Sequence, residues 1–135
     1  MDRDKIQVLL VEDIKIAQTV AQLILSQLTC KVTTAATGID ALELLEQQQF
    51  DIIFMDLGLP DIDGITITET IRKQEQACSR TAIPIIALTA HSNDKTLKQQ
   101  CFETGIDDFL TKPLQIKEAK RVLEQYCKIP ETRMV

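Results

Sequence analysis

Several residue types that mark common functional classes are scarce in this 135-residue sequence. It contains one histidine and four glycines, and none of its four cysteines (Cys30, Cys78, Cys101 and Cys127) belongs to a C-x-x-C pair. This scarcity argues against a zinc or redox site and against a glycine-rich nucleotide-binding loop. We interpret the cysteines as reduced thiols, because free cysteine commonly packs as a small hydrophobic residue.

Long apolar runs and an excess of positive charge are also missing. No apolar stretch approaches the roughly 18 residues that a membrane span requires, so we expect a cytoplasmic protein or fragment without membrane contact. The formal net charge of -5 argues against a nucleic-acid surface, which usually needs a basic face. With 44% apolar and 26% charged residues, the composition is typical of a folded globular domain with protein partners.

Short apolar segments alternate with longer amphipathic ones along the chain. The short segments have the length and β-branched content of strands, and they span residues 6–11, 31–36, 51–56, 83–90 and 107–111. The intervening segments predict helices over residues 14–28, 39–47, 65–73, 94–103 and 115–126. This alternation predicts a doubly wound α/β domain with a five-stranded parallel sheet and helices on both faces. The domain is expected to occupy residues 1–127, followed by a tail or linker at 128–135.

Local signals in the predicted helices support this organisation. Thr37 and Asp40 form a helix-start pattern, and Gly105 stands where a C-cap glycine belongs. The first predicted helix carries an apolar stripe, most of which we attribute to core packing. The residues of that stripe are Ile14, Ala17, Val20, Ala21, Ile24 and Leu28.

Polar residues stand at the carboxyl ends of four predicted strands, where open α/β sheets place their functional crevice. They are Glu12 and Asp13 after the first strand, Asp56 in the third, Thr89 in the fourth and Lys112 after the fifth. Singly, each has an ordinary explanation: Asp13 as a helix cap, Thr89 as a turn hydrogen bond, Lys112 as a solvated charge. Together they predict one crevice.

Asp56 is the unusual member, because it ends the most apolar of these strands. A buried carboxylate is costly unless a cation balances its charge. Clustered carboxylates favour Mg²⁺, which takes oxygen ligands and retains several waters. With Lys112, such a site suits a phosphoryl group: Asp56 would act as the nucleophile and form an acyl phosphate, and Thr89 would donate to a phosphoryl oxygen.

The order of these residues resembles the receiver domain of bacterial two-component response regulators. The motifs LLVED, MDLGLPDIDG, ALTA and FLTKP carry the resemblance, which covers residues 6–127. It implies a flavodoxin-like sheet with strand order 2-1-3-4-5. It also implies that Asp56 accepts a phosphoryl group from a phosphohistidine on a histidine kinase or histidine phosphotransfer protein. The domain would then switch partner interactions or relay the group, rather than act as a turnover enzyme.

Further site roles follow from the resemblance alone. Asp13, Asp56 and the backbone carbonyl of Gly58 would bind Mg²⁺, with Glu12 acting through water.

Lys112 would contact the phosphoryl group, and Thr89 and Phe109 would be switch residues. The bond between Lys112 and Pro113 would be cis. The first helix resembles the face that docks the phosphodonor, and residues 94–126 would form the output face.

Other interpretations remain open at the sequence level. An Mg²⁺-dependent phosphohydrolase of the haloacid dehalogenase type also uses an aspartate nucleophile, but it normally needs a second acid where Gly58 stands. Asp61 and Asp63 are interpreted as solvated turn residues, and His91 as a loop residue. A receiver that binds partners without phosphorylation is disfavoured by the complete set of acids, threonine and lysine. The source could be a hybrid sensor histidine kinase, and the lifetime of the acyl phosphate is open.

Overall fold

The computed structural model describes residues 5–91 and 93–127. It contains the following elements: β1 (Ile6–Val11), α1 (Lys15–Ser26), β2 (Cys30–Ala35), α2 (Gly38–Gln47), β3 (Ile52–Asp56), α3 (Gly64–Ala77), β4 (Ile85–Thr89), α4 (Lys95–Thr104), β5 (Asp108–Thr111) and α5 (Ile116–Cys127). The predicted tail at residues 128–135 lies outside the described residues.

The largest departure from the predicted boundaries is at the end of α3. The helix continues to Ala77, whereas the sequence pattern predicted an end at residue 73. Its last turns are polar in sequence, but Glu75 is buried and bonded to Arg72 at 2.7 Å and to the backbone N–H of Ile83 at 2.8 Å. The bond to Ile83, outside the helix, and the ion pair with Arg72, within it, stabilise these last turns beyond the apolar stripe.

The five strands form one parallel sheet in the order β2-β1-β3-β4-β5, which confirms the predicted fold. Every residue of β3 and β4 is buried, as expected for strands covered on both faces. One core cluster packs α1 and α5 on one face of the sheet, and a second packs α2, α3 and α4 on the other. This arrangement brings the carboxyl ends of all five strands to one edge.

Helix ends follow the local signals, except at α1. The side chain of Thr37 accepts the backbone N–H of Asp40, and Gly105 has φ 116° at the C-cap of α4. The N-cap position of α1 is Ile14, an aliphatic residue that offers no acceptor atom. Asp13 is therefore not the cap of α1, and the explanation of this residue as a helix cap is wrong.

The apolar stripe of α1 is only partly buried. Core packing accounts for Ala21, Leu28 and the partly buried Ile24, whereas Ile14 and Val20 are 56% and 40% exposed. The fully buried residues of α1 are Gln18, Ala21 and Leu25. Attributing the stripe to core packing is therefore correct for Ala21, Ile24 and Leu28 and wrong for Ile14 and Val20, because the buried direction is rotated relative to the stripe.

In the described part of the chain all four cysteines are free. Burial, with smaller contributions from neighbouring groups, raises the pKa of Cys30 and of Cys127 to about 12. These two thiols therefore stay protonated near neutral pH. None of the helices formed by residues 5–91 and 93–127 is long and apolar enough to cross a membrane.

Candidate active site at the carboxyl edge of the sheet

Three carboxylates meet where the central strands end. One carboxylate oxygen from each of Glu12, Asp13 and Asp56 lies within 4.8 Å of the others. Glu12 and Asp56 are buried, and Asp13 is half-buried. The predicted crevice is therefore present, since parallel β1 and β3 are hydrogen-bonded neighbours with their carboxyl ends side by side.

Lys112 bridges two of these acids. Its ammonium nitrogen lies 2.9 Å from Oε1 of Glu12 and 3.0 Å from Oδ1 of Asp56. The carboxylate side chains are 3% and 6% exposed, and the lysine side chain is 25% exposed. Lys112 is thus a partner of the acidic cluster, and the explanation of it as a solvated surface charge is wrong.

The surroundings shift the pKa values of all three groups. Burial raises the pKa of Glu12, and its hydrogen bonds to Lys112 and Ile14 only partly offset that effect. Burial would also raise the pKa of Asp56, but the Gly58 N–H and Lys112 together hold it below its usual value. For Lys112, burial favours the neutral amine, yet its two carboxylate partners raise its pKa. Near neutral pH, Asp56 is therefore an ionised carboxylate beside a protonated lysine.

The acidic residues at the end of β3 and in the turn after it accept hydrogen bonds from backbone N–H groups of the turn, of α2 and of α3. Oδ1 of Asp56 accepts the Gly58 N–H at 3.0 Å. The two carboxylate oxygens of Asp61 accept the N–H groups of Gly38 at 2.9 Å and Ile39 at 3.1 Å, at the start of α2. Asp63 caps α3 by accepting the Thr66 N–H at 2.9 Å. Asp61 and Asp63 are exposed turn residues, as predicted, and each also caps the start of a helix.

The remaining predicted residues lie on β4, on β5 and in the segment after β5. Thr89 is 5% exposed, and its hydroxyl oxygen accepts the backbone N–H of His91 at 3.0 Å. The turn explanation of Thr89 is therefore correct as far as this bond goes. Phe109 is buried, with the ammonium of Lys98 lying 5.7 Å from its ring centroid. The peptide bond from Lys112 to the next residue, a proline, is cis.

Sequence reasoning missed one polar residue that bonds to the site. Gln18 is 7% exposed, and its Nε2 donates to the backbone carbonyl of Glu12 at 2.6 Å. A signal was present in the sequence, because Gln18 continues the helical row of Ala21 and Leu25 toward the N-terminus. A polar side chain in an apolar row needs a buried partner.

An apolar groove of about 480 Å³ opens beside the acids. The side chains that line it come mainly from α1 and from the segment after β5, and they include Ile14, Ile16, Ala17, Val20, Lys112, Pro113 and Leu114. Ile16 and Leu23 of α1 are 77% and 61% exposed. Exposed apolar residues beside a polar site are typical of an interaction surface.

The donor set of the crevice fits a hard divalent cation. The cluster of Glu12, Asp13 and Asp56 offers oxygen atoms, which Mg²⁺ prefers over nitrogen and sulfur. Two of the acids already hold an ammonium group, so the geometry accommodates a positive charge among them.

Comparisons with known proteins point to one family. Residues 8–124 match the family model described as response regulator receiver domain. The chain is 37% identical over 128 residues to hybrid signal transduction histidine kinase K of Dictyostelium discoideum, covering 90% of this chain and 10% of that protein. It is 32% identical to sensor protein GacS of Pseudomonas syringae pv. syringae, covering 87% of this chain and 13% of that protein. The chain therefore spans only about a tenth of the length of these relatives.

Two solved structures are similar over nearly the whole chain. The receiver domain of sensor histidine kinase PA1611 from Pseudomonas aeruginosa PAO1 is 38% identical with a TM-score of 0.81, and the match covers 92% of this chain and 98% of that one. That structure holds a magnesium ion in its active-site cleft. The receiver domain of Saccharomyces cerevisiae Ssk1, solved with the histidine phosphotransfer protein Ypd1, is 30% identical with a TM-score of 0.82, covering 92% of this chain and 90% of that one.

Proposed function

The chain belongs to the response regulator receiver domain family of two-component systems, and from that premise we propose that Asp56 accepts a phosphoryl group in an Mg²⁺-dependent reaction. The observation that carries the proposal is the position of this carboxylate. It is buried at the end of β3, bonded to Lys112 at 3.0 Å, and within 4.8 Å of two further acids. A carboxylate whose charge is balanced by a nearby ammonium group is suited to attack an anionic phosphoryl group.

Asp13, Asp56 and the backbone carbonyl of Gly58 would hold the Mg²⁺, and Glu12 would act on it through water. The closeness of the three carboxylates supports this assignment, as does the magnesium ion in the related PA1611 receiver. When bound, the ion supplies positive charge to the phosphoryl oxygens and lowers their repulsion of the nucleophile.

The transfer itself exchanges one bond to phosphorus for another. A carboxylate oxygen of Asp56 attacks the phosphorus of a phosphohistidine, the phosphorus–nitrogen bond breaks, and the imidazole leaves and takes up a proton. Lys112 would leave Asp56 and contact a phosphoryl oxygen. The oxygen of the Thr89 hydroxyl accepts the His91 N–H, so the hydroxyl proton can be donated to a second phosphoryl oxygen. Movement of Thr89 would then change the position of the Phe109 ring.

The phosphodonor would be a histidine kinase or a histidine phosphotransfer protein that docks on the exposed side of α1. The groove beside the acids and the exposed Ile16 and Leu23 support this surface. The structure of Ssk1 with Ypd1 shows that a related receiver binds such a partner. The segment from α4 to α5 is proposed as the output face, and neither nucleic acid nor a membrane is proposed as a partner.

We further propose that this domain comes from a cytoplasmic hybrid histidine kinase. One relative that supports this source is hybrid signal transduction histidine kinase K, and the region that matches this chain is 10% of that protein. Free thiols suit the reducing conditions of the cytoplasm. We propose that the domain promotes its own phosphorylation and any hydrolysis of its own acyl phosphate, and that it does not act as an enzyme on other substrates.

A phosphohydrolase receives no support from the geometry. The haloacid dehalogenase type needs a second acid shortly after the nucleophile, and the acids that follow Asp56 in the same loop, Asp61 and Asp63, are engaged as helix caps. Gly58, two residues after the nucleophile, offers no side-chain acid.

The proposal can be tested with a small phosphodonor. The protein is incubated with acetyl phosphate and Mg²⁺, and its intact mass is measured beside Asp56→Asn, a matched Asp63→Asn variant and a chelator control. We expect one phosphoryl adduct that persists in Asp63→Asn and disappears in Asp56→Asn and in chelator. Turnover of the donor without an adduct would instead favour a phosphohydrolase. Neither adduct nor turnover would indicate a domain that only binds partners.

A further inference from the structure

Glu12 is fixed by four bonds to different parts of the fold. Its backbone N–H donates to Ala35 of β2 at 2.9 Å. Its carboxylate accepts the ammonium of Lys112 at 2.9 Å and the backbone N–H of Ile14 at 3.2 Å. Its backbone carbonyl accepts Nε2 of Gln18 at 2.6 Å. The last bond joins the turn between β1 and α1 (residues 12–14) to α1 through a side chain, beside the backbone bond from the Gln18 N–H to the Ile14 carbonyl at 2.9 Å.

The chemistry of this bond fixes the orientation of the Gln18 amide. A carbonyl oxygen only accepts hydrogen bonds, so the NH₂ end of the amide must face Glu12. Side chains in a helix lean toward its N-terminus, which lets Gln18, in the first turns of α1, reach back across the turn. With a solvent exposure of 7%, Gln18 has little access to water as a replacement partner.

The same turn lacks the usual support of a side-chain cap. Ile14 holds the N-cap position of α1 and offers no side-chain acceptor to the first N–H groups of the helix. The carbonyl held by Gln18 belongs to the peptide unit that leads directly into Asp13, one of the three clustered acids. Rotation of that peptide unit would therefore redirect the Asp13 side chain.

From these contacts we propose that Gln18 is a positioning residue that holds residues 12–14 in the geometry in which Asp13, Glu12 and Asp56 can share a divalent cation. This inference rests on the proposed Mg²⁺-dependent function. Gln18 does not touch the reacting atoms, and it acts through the backbone carbonyl of Glu12. Partners that orient metal ligands commonly change metal affinity about 10- to 100-fold when removed.

The test removes the amide donor while keeping the length and helix propensity of the side chain. Gln18→Met does this, and Gln22→Met, one turn further along α1, is the matched control. Gln18→Asn keeps the amide but shortens it by one carbon, so the donor falls short of the Glu12 carbonyl. Mg²⁺ affinity is measured by titration calorimetry, and folding is checked by urea unfolding in chelator. Hydrogen exchange of the Ile14 amide in chelator reports on the turn itself.

Gln18→Met and Gln18→Asn are each expected to weaken Mg²⁺ binding by about tenfold, the low end for an indirect partner. Exchange at Ile14 should accelerate, and phosphorylation should slow at limiting Mg²⁺ but recover at saturating Mg²⁺. Gln22→Met should match the wild type. This inference is overturned if both Gln18 variants bind Mg²⁺ within about twofold of the wild-type affinity, or if Gln22→Met loses as much affinity as they do. Either result would leave the proposed function intact. A wild type that binds no Mg²⁺ and takes no phosphoryl group would overturn the proposed function as well.

Discussion

Replacing Lys112 with methionine removes the cation that balances two buried carboxylates. At separations of 2.9 and 3.0 Å, each ion pair has a Coulomb energy of about 5–6 kcal/mol at an effective dielectric constant near 20. Most of this energy offsets the cost of taking the ions out of water. Loss of one partner from a buried pair costs about 3–5 kcal/mol, and partial exposure of the lysine places the expected loss near 3 kcal/mol.

The loss should depend on pH in a defined direction. Burial raises the pKa of Glu12, so the stability that this group contributes is present below its ordinary pKa of 4.5 and is lost as the pH rises through the folded value. Without Lys112 the pKa of Glu12 should rise further, and the pKa of Asp56 should lose part of the lowering that Lys112 provides. The destabilisation is therefore smallest near pH 5, where protons relieve the repulsion, and largest near pH 8.

Urea unfolding in chelator at the two pH values measures this effect, with Lys117→Met as the control for removal of an exposed lysine. Addition of Mg²⁺ at the higher pH should restore part of the lost stability, since the ion binds only the folded site. The reasoning is refuted if Lys112→Met stays within about 0.5 kcal/mol of the wild type at pH 8. An equal loss at both pH values would also refute it.

Three further substitutions test how loops at the two ends of the sheet are held. Gly38 and Asp61 lie at the carboxyl ends of the strands, whereas Arg72 bonds to residues that precede β4 and β5. Gly38→Ala should destabilise the fold by about 1–3 kcal/mol in urea unfolding, because the added Cβ would lie 2.5 Å from Cδ1 of Ile67; an unchanged unfolding midpoint would contradict the close packing. Asp61→Ala should speed hydrogen exchange of the first α2 amides, because it removes the acceptor of the Gly38 and Ile39 N–H groups; unchanged exchange would contradict this role. Arg72→Met should cost about 3 kcal/mol by thermal unfolding, since it leaves Glu75 buried without its ion pair, and a loss below about 1 kcal/mol would argue against this pairing.

The strands and their polar ends could be predicted because the relevant signals are local. β3 and β4 are continuous apolar runs, and buried parallel strands require such runs. Asp56 and Lys112 stand directly at strand ends, so the topology alone brings them to one edge. The long Lys112 side chain then reaches past the end of the intervening β4 to bond Asp56 at 3.0 Å.

Contacts that depend on three-dimensional geometry could not be predicted in the same way. Asp61 and Gly38 are separated by 22 other residues, and no spacing rule links a turn acid to the start of a distant helix. The stripe on α1 illustrates a second limit. Periodicity identifies apolar residues such as Ile14 and Val20, but it does not distinguish a side chain that faces the core from one that faces a partner.

Locating the phosphoryl group on the chain would test the central claim most directly. Borohydride converts a phosphorylated aspartate to homoserine, and fragmentation mass spectrometry of the digested protein identifies the converted residue. We expect conversion at Asp56 after incubation with acetyl phosphate and Mg²⁺, and none after incubation in chelator. Conversion at Asp13, or a phosphoryl group on His91 with Asp56 unmodified, would contradict the assignment of Asp56 as the phosphoacceptor.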